Sequence, residues 1–262
     1  MQNSATRPVR HRRLQDIAGL TDIGLRRRNN EDAIAWDAEL GLALVADGVG
    51  GHNGGEVASS TAVRSIKSDL HSALRIASAQ TGLAATGSRA ALVQELIRRA
   101  NQRIASMAAR DPKLHGMGAT LALTLLVDDQ VVVANVGDSR VYRLRCAALE
   151  QLTRDHLLTQ ELLQNDHLTA EQAQASGNRN MLSRALGMAG GLEVDLAQHP
   201  AESGDLYLLC SDGLTGMIGD QELAALLNDP AADLRELAHQ AVELAKRRGG
   251  RDNISIVLMR LA

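Results

Sequence analysis

Three short apolar runs follow one another closely in the middle of this 262-residue chain. They cover residues 120–127, 131–136 and 140–144, and three residues separate each run from the next. Their aliphatic and β-branched side chains favour strands. A crossover between parallel strands needs a dozen or more residues, so such short links indicate antiparallel hairpins. The predicted turns are Asp128–Asp129 and Gly137–Asp138.

The remaining segments predict groups of strands with helices between the groups. Further strand-like runs cover residues 14–24, 40–46, 193–198, 205–211 and 253–261. Helical patterning starts at Val57 and returns at 89–109, 157–165, 170–175, 220–228 and 233–247. Because strands and helices do not alternate one by one, we predict an α+β fold and not a doubly wound parallel sheet. Residues 153–192 fit neither group and indicate a flap outside the main layers.

Composition and charge exclude several classes of protein. Only 1% of residues are aromatic, so a stacking platform for single-stranded nucleic acid is excluded. The net charge of −3 also argues against a nucleic-acid partner. No stretch approaches the ~20 apolar residues of a membrane span, and two distant cysteines form neither a disulfide framework nor a zinc pattern. We therefore expect a cytoplasmic protein without a membrane partner. Residues 1–13 are predicted to be a disordered basic arm, with a docking tail as the alternative.

Carboxylates stand where several predicted strands begin or end. The pairs Asp47–Gly48 and Asp212–Gly213 each end an apolar run, and Asp138, Asp252 and Glu31–Asp32 also border strands. Several carboxylates brought together there would repel one another unless a cation neutralised them. Oxygen ligands without a His or Cys cluster select Mg²⁺ or Mn²⁺. The alternative for each single site is an ordinary Asp-Gly turn.

Arginines stand just before one of these carboxylate pairs. Arg26, Arg27 and Arg28 precede Asn29–Asn30 and Glu31. Guanidinium groups bind phosphate through paired hydrogen bonds, so this spacing suits a phosphoryl substrate. The alternative is a solvated charged loop. Nucleotide-binding motifs are missing, because GVGGHN lacks the third glycine of the dinucleotide fingerprint and no Walker A sequence occurs.

Eight motifs occur in an order that resembles a known family. They are TDIGLRRRNNEDA, ALVADGVGGHNGGEVAS, GMGATL, ANVGDSRVYRL, LTRDH, LSRALG, LLCSDGL and RDNISIVL. Together they resemble the metal-dependent Ser/Thr protein phosphatases of type 2C in their bacterial form. The resemblance covers residues 14–262 as a single catalytic domain. It implies a four-layer αββα sandwich of two antiparallel sheets, with helices on both outer faces and a flap at about 153–192.

The resemblance also implies a centre of two core Mn²⁺ or Mg²⁺ ions and a possible weaker third. Asp47 would bridge the core ions, and the carbonyl of Gly48 would bind the second. The first ion would be held by Asp212 and Asp252. Glu31 and Asp32 would act mainly through metal-bound water. Asp138 would form the third site with Asp212.

Further roles follow from the same motifs. Arg27 would bind the phosphate that a metal-activated water attacks, and Asn253 and Ser139 would hold carboxylates in place. His52 is either the proton donor to the leaving alkoxide or a surface or structural histidine. Cys210 is expected to be an inert buried side chain and not a nucleophile.

The predicted activity is therefore hydrolysis of phosphoserine and phosphothreonine on proteins, by a monomer that opposes a Ser/Thr protein kinase. Three alternatives are considered. One is a binding module that keeps the fold without activity, and another is an enzyme acting on a small phosphoester. The third is an unrelated α+β protein with chance turn motifs, against which the ordered set of eight motifs argues.

Overall fold

Two antiparallel sheets form the centre of the molecule. The computed structural model describes residues 14–50, 54–79, 89–164, 181–188 and 191–262. The strands are β1 (Leu14–Asp22), β2 (Asp32–Asp37), β3 (Leu42–Val49), β4 (Gly118–Ala119), β5 (Leu121–Val127), β6 (Gln130–Val136), β7 (Arg140–Arg145), β8 (Ala148–Gln151), β9 (Asp195–Pro200), β10 (Leu206–Cys210) and β11 (Ile254–Leu261). One sheet has the order β1-β11-β10-β7-β8. The other has the order β2-β3-β5-β6-β9, with β4 paired to β3.

The central hairpin prediction is half right. β5 and β6 pair across the Asp128–Asp129 turn, where Asp128 has a φ of 53°. The second predicted hairpin is wrong, because β7 pairs with β10 and β8 and not with β6. At Gly137, whose φ is 99°, the chain leaves one sheet and enters the other. The pattern of apolar residues indicates where a strand lies but not which sheet it joins. The sequence analysis also does not predict the short strand β8.

Helices cover the outer face of each sheet. They are α1 (Gly54–Ala79), α2 (Arg89–Arg110), α3 (Leu158–Gln164), α4 (Asp212–Thr215), α5 (Asp220–Leu227) and α6 (Leu234–Arg247), with a 3₁₀ turn at Pro112–Leu114. α1 packs on β2 and β3 and against α2, whereas α6 packs on β1 and β11. The α+β sandwich with helices outside both sheets is confirmed. None of the helices in the described part of the chain combines the length and apolar character that a bilayer span requires.

Some boundaries differ from the predictions. α1 begins at Gly54, three residues before the expected Val57, and α4 begins directly at Asp212 where only a turn was expected. Asp47 and Gly48 lie within the last residues of β3 and not beyond it. The predicted arm at 1–13 and the predicted helix at 170–175 lie outside the described residues, as does much of the predicted flap.

A core without phenylalanine fills the space between the sheets. Val45, Val133, Leu209 and Val257 are buried there by aliphatic neighbours from both sheets. Two further apolar clusters are present, one between each sheet and the helices that cover it. Because each sheet is covered on both faces, its central strands are buried along their whole length, as in β10 and β11. This packing holds the ends of the two sheets in a constant relative position.

Truncation of the core between the sheets is expected to destabilise the whole fold. Leu209 is fully buried between Val257 and Val141 of the neighbouring strands. We expect Leu209→Ala to lower the free energy of unfolding by about 2–5 kcal/mol, measured by urea denaturation. Met188→Ala is the control, because 48% of this side chain is exposed and the expected loss is below about 0.5 kcal/mol. Equal effects of the two changes would contradict the packing described.

Candidate metal centre

A cleft of about 320 Å³ opens at one end of the sandwich. Its acidic lining comes from segments that are far apart in the chain. β3 contributes Asp47, the crossing between sheets contributes Asp138, and the start of α4 contributes Asp212. The described residues that line it are Arg27, Glu31, Asp47, Gly48, Val49, Gly50, Thr120, Asp138, Leu182, Asp212, Asp252 and Asn253.

Backbone and hydroxyl hydrogen bonds hold Asp47 in place. Its N–H donates to Thr120 Oγ1 at 2.9 Å, and Thr120 N–H donates to the carbonyl of Asp47 at 2.8 Å. The Thr120 hydroxyl also shares a 2.7 Å hydrogen bond with Ser139 Oγ. Ser139 therefore acts on Asp47 through Thr120 and not by touching its carboxylate. Sequence reasoning missed Thr120, although it lies in the quoted GMGATL motif.

Asp32 lies behind the cleft and not in its lining. It is paired with Asp47 across β2 and β3 and is 8% exposed. Ser211 donates a 2.7 Å hydrogen bond to Asp32 Oδ2, and its hydroxyl accepts a 3.0 Å hydrogen bond from Ser255 N–H. Burial, with smaller contributions from the charges of nearby aspartates, still raises the pKa of Asp32 to about 6. The two serines therefore hold in place a carboxyl group that is costly to ionise.

Close backbone contact brings Asp212 and Asp252 together. A Cβ on Gly213 would lie 1.9 Å from the carbonyl oxygen of Asn253, so only glycine lets α4 start against this loop. Asp252 Oδ1 accepts a hydrogen bond from Asn253 N–H at 2.8 Å. The glycine at position 213 is therefore explained by its contact with the 252–253 loop, and not by an ordinary Asp-Gly turn.

Asn253 also joins this loop to the segment that carries the arginines. Its Nδ2 donates to the carbonyl oxygens of Ile23 and Asn29 at 3.0 Å each. Its Oδ1 accepts a hydrogen bond from Glu31 N–H at 2.8 Å. One amide side chain therefore fixes both ends of the arginine segment relative to the cleft.

The acidic groups of the cleft oppose one another's ionisation. Burial raises the pKa of Asp47 well above its ordinary range, and the charges of Asp32, Asp212, Asp138 and Asp252 raise it further. Burial and then the charges of Asp212 and Asp155 raise the pKa of Asp138 to about 7. The ionised cleft is therefore unfavourable without a compensating positive charge.

Two observations test whether these residues suit a cation. The buried atoms Asp32 Oδ1 and Asp212 Oδ1 have no hydrogen-bond partner among the described residues. The charge of Asp212 raises the pKa of Asp47, so the two carboxyl groups oppose each other's ionisation and a cation between them would relieve this repulsion. In the described ranges, no three Asp, Glu, His or Cys side chains are already positioned to bind the same metal ion. The oxygen donors therefore fit hard divalent cations, and binding requires small side-chain movements.

Among the residues that the structure describes, Arg27 is the one cationic side chain that lines this cleft. Its Nη2 lies 2.5 Å from Asp252 Oδ2. Burial disfavours its charge, but the hydrogen bond and charge of Asp252, with the charges of Asp47 and Glu31, outweigh this and raise its pKa. The guanidinium group therefore stays positive beside the carboxylates.

Most of the residues singled out from the sequence meet at this cleft. Arg27, Glu31, Asp47, Gly48, Asp138, Asp212, Asp252 and Asn253 line it, and Asp32 and Ser139 lie just behind. His52 lies outside the described residues, so its two interpretations stay open. Burial raises the pKa of the Cys210 thiol to about 12, so it remains protonated at neutral pH. Leu182 and Val49 are apolar lining residues that the sequence analysis did not single out, although they lie in the LSRALG and ALVADGVGGHNGGEVAS motifs.

Comparisons with known proteins agree on one family. Residues 26–252 match the family model described as protein phosphatase 2C. The serine/threonine phosphatase stp of Listeria innocua is 38% identical over 242 residues, covering 91% of this chain and 93% of the relative. A structure of the Mycobacterium tuberculosis phosphatase PstP/Ppp is similar with a TM-score of 0.79 and 34% identity, covering 94% and 97% of the two chains. The PstP catalytic domain in complex with two manganese ions gives a TM-score of 0.77 and 34% identity, covering 94% and 98%.

Neutralising Asp47 is expected to stabilise the metal-free protein. Because Asp47 faces several other carboxylates, Asp47→Asn removes repulsion between like charges and a buried ionisable group. We expect the free energy of unfolding in a chelator at neutral pH to rise by on the order of 1–3 kcal/mol. Glu39→Gln, an exposed acid-to-amide change, should leave it unchanged. A destabilised Asp47→Asn protein would show that repulsion is not the dominant force in the cleft.

Proposed function

Because this chain belongs to the protein phosphatase 2C family and is a serine/threonine protein phosphatase, we propose that the carboxylates of its cleft hold the divalent cations of the reaction. Asp47, Asp212 and Asp252 are the proposed ligands of two core ions, with the carbonyl of Gly48. Glu31 and Asp32 are proposed to act through water. Mn²⁺ or Mg²⁺ is the proposed metal.

The repulsion within the cleft is the observation that carries this proposal. Among the described residues, five acidic side chains line a space of about 320 Å³ beside one arginine. Burial and neighbouring charges disfavour ionisation of Asp47, and Asp212 Oδ1 is buried with no hydrogen-bond partner in the described part of the chain. A purely structural cluster would be paired with basic residues, as Asp155 is paired with Arg140. Divalent cations would neutralise the cluster instead.

The bound cations supply Lewis acidity, which polarises the phosphoryl group and makes a water molecule nucleophilic at neutral pH. The residues of this chain supply position and charge. Thr120 and Ser139 fix the backbone of Asp47 by the hydrogen bonds described above. Asn253 holds the backbone on both sides of Arg27, so that the guanidinium group remains at the edge of the cleft.

Arg27 is proposed to bind the non-bridging oxygens of the phosphoryl group. In the present structure its Nη2 contacts Asp252. When a cation satisfies Asp252, the same guanidinium group is available for substrate oxygens. His52 follows Asp47 by five residues, and we retain it as the candidate donor of the proton to the leaving oxygen.

The wider role is proposed on the same basis. The enzyme acts on phosphorylated proteins, and we infer that it opposes a Ser/Thr protein kinase as a cytoplasmic monomer. Residues 14–262 are proposed as the catalytic domain, with a flap at about 153–192. These proposals follow from the family, and the cleft chemistry is compatible with them.

Phosphate release from a phosphothreonine peptide tests the metal centre. We expect release with Mn²⁺, none with excess chelator, and a fall in kcat of about a hundredfold or more in Asp212→Asn. Asp212→Asn should also weaken Mn²⁺ binding measured by calorimetry. Glu39→Gln should match the wild type in both measurements. A folded wild-type chain that releases no phosphate with any divalent metal would contradict this function and favour a silent binding module.

Asp138 provides a separate test of the third ion. We expect Asp138→Asn to lower the number of Mn²⁺ ions bound at saturation by one while the two core ions remain. The expected fall in kcat is about tenfold, which is smaller than for Asp212→Asn. Calorimetric titration of both variants checks the stoichiometry. An unchanged number of ions in Asp138→Asn would remove Asp138 from the metal centre.

A further inference from the structure

A loop at the rim of the cleft carries three consecutive arginines on a fixed base. We call residues 23–29 the arginine loop. Its backbone is attached at Leu25, whose N–H donates to the carbonyl of Gly250 at 2.7 Å. The side chain of Asn253 holds the carbonyls of Ile23 and Asn29. The loop is therefore anchored at both ends and in the middle, so its exposed side chains stand at a defined place beside the cleft.

The three arginines have different surroundings. Arg27 lines the cleft and pairs with Asp252. Arg26 and Arg28 are exposed, and neither has a hydrogen bond or ion pair with any residue that the structure describes. Elsewhere several arginines are matched by carboxylates, as Arg145 is by Asp205 and Glu202. The arginine loop therefore carries two positive charges, adjacent in sequence to the cleft residue Arg27, that have no partner among the residues the structure describes.

Exposed apolar side chains occur on the arginine loop and next to a residue that lines the cleft. In the described ranges, the exposed large hydrophobic residues are Ile23, Leu25, Met181 and Met188. Two of these belong to the arginine loop, and Met181 is adjacent to Leu182, which lines the cleft. A small phosphoester would occupy the cleft alone and would leave these side chains in water. An extended polypeptide across the mouth of the cleft would cover them.

We propose that the arginine loop is a docking surface for the substrate polypeptide, and that Arg26 and Arg28 select acidic residues close to the phosphorylated residue. An extended peptide advances about 3.3–3.6 Å per residue. Carboxylates two or three positions away therefore lie about 7–10 Å from the phosphorylated residue. Arg26 and Arg28 flank Arg27 in sequence, and that spacing places their guanidinium groups within reach of such carboxylates. This selectivity rests on the proposed function, because Arg27 must face the phosphoryl group.

The physical basis is charge complementarity at the rim. Guanidinium groups bind carboxylates through paired hydrogen bonds, and unpaired positive charge also attracts an acidic peptide before contact. Exposed contacts of this kind weaken as salt rises.

Two phosphothreonine peptides that differ only in their flanks provide the test. One carries Asp and Glu two and three residues from the phosphothreonine, and the other carries Asn and Gln there. We expect wild-type kcat/KM with Mn²⁺ to favour the acidic peptide by about three- to tenfold, the size of two exposed charge contacts. The difference in kcat/KM between the two peptides should come from KM. It should shrink in about 0.5 M salt, because an ionic strength of that order strongly screens exposed charges.

The double variant Arg26→Gln/Arg28→Gln should lose this preference. Its hydrolysis of p-nitrophenyl phosphate, which has no flanking residues, should equal that of the wild type. Arg89→Gln/Arg235→Gln is the matched control, because both arginines are exposed, neither lines the cleft, and the charge change is the same. This control should keep the preference.

The outcomes separate this proposal from the metal-centre proposal. Equal kcat/KM for both peptides in the wild type, or an unchanged preference in the Arg26→Gln/Arg28→Gln variant, would overturn the docking surface. A wild type that fails even on p-nitrophenyl phosphate would contradict the metal centre. In that case fluorescence anisotropy of the two labelled peptides on the wild type and the double variant still decides the docking proposal. A preference that the double variant lacks supports it, and equal binding of both peptides overturns it.

Discussion

Repulsion among carboxylates at one end of the sandwich is the constraint to which the rest of the structure responds. Asp32, Asp47, Asp138 and Asp212 all have raised pKa values, chiefly because burial disfavours their charge. A fold gains nothing in stability from such a cluster. The residues around it are accordingly arranged to hold the carboxylates in place. Ser211 and Thr120 supply hydrogen bonds for this purpose, and the packed sheets supply rigidity.

The two-sheet architecture explains how acids from distant parts of the chain meet. β3 belongs to one sheet, whereas β10 and β11 belong to the other, and their ends come together at the same end of the molecule. The short link through Gly137 crosses between the sheets and brings Asp138 to this place. Aliphatic packing between the sheets keeps the distances constant. The apolar interior stabilises the fold. The acidic end of the sandwich lowers the stability of the fold but provides the groups for the reaction.

The arginine loop combines two functions of charge within a few residues. Arg27 compensates the acidic cleft at Asp252 and is suited to bind phosphoryl oxygens. Its neighbours Arg26 and Arg28 have no such compensation in the described structure and point to recognition beyond the reacting group. Asn253 makes both possible, since it holds the backbone of the loop at either end. A single amide thus couples the metal-binding segment to the rim.

The sequence by itself determined the α+β class, most strands and helices, and all five acidic residues in the described lining of the cleft. Periodicity and ordered motifs are local signals, so they can be recognised in the sequence without knowledge of the fold. The sequence could not assign β6 and β7 to different sheets, because pairing depends on contacts between distant residues. Nor could it identify Thr120 as the support of Asp47, or the pairing of Arg27 with Asp252. These depend on distances across the packed sandwich, which only the tertiary structure decided.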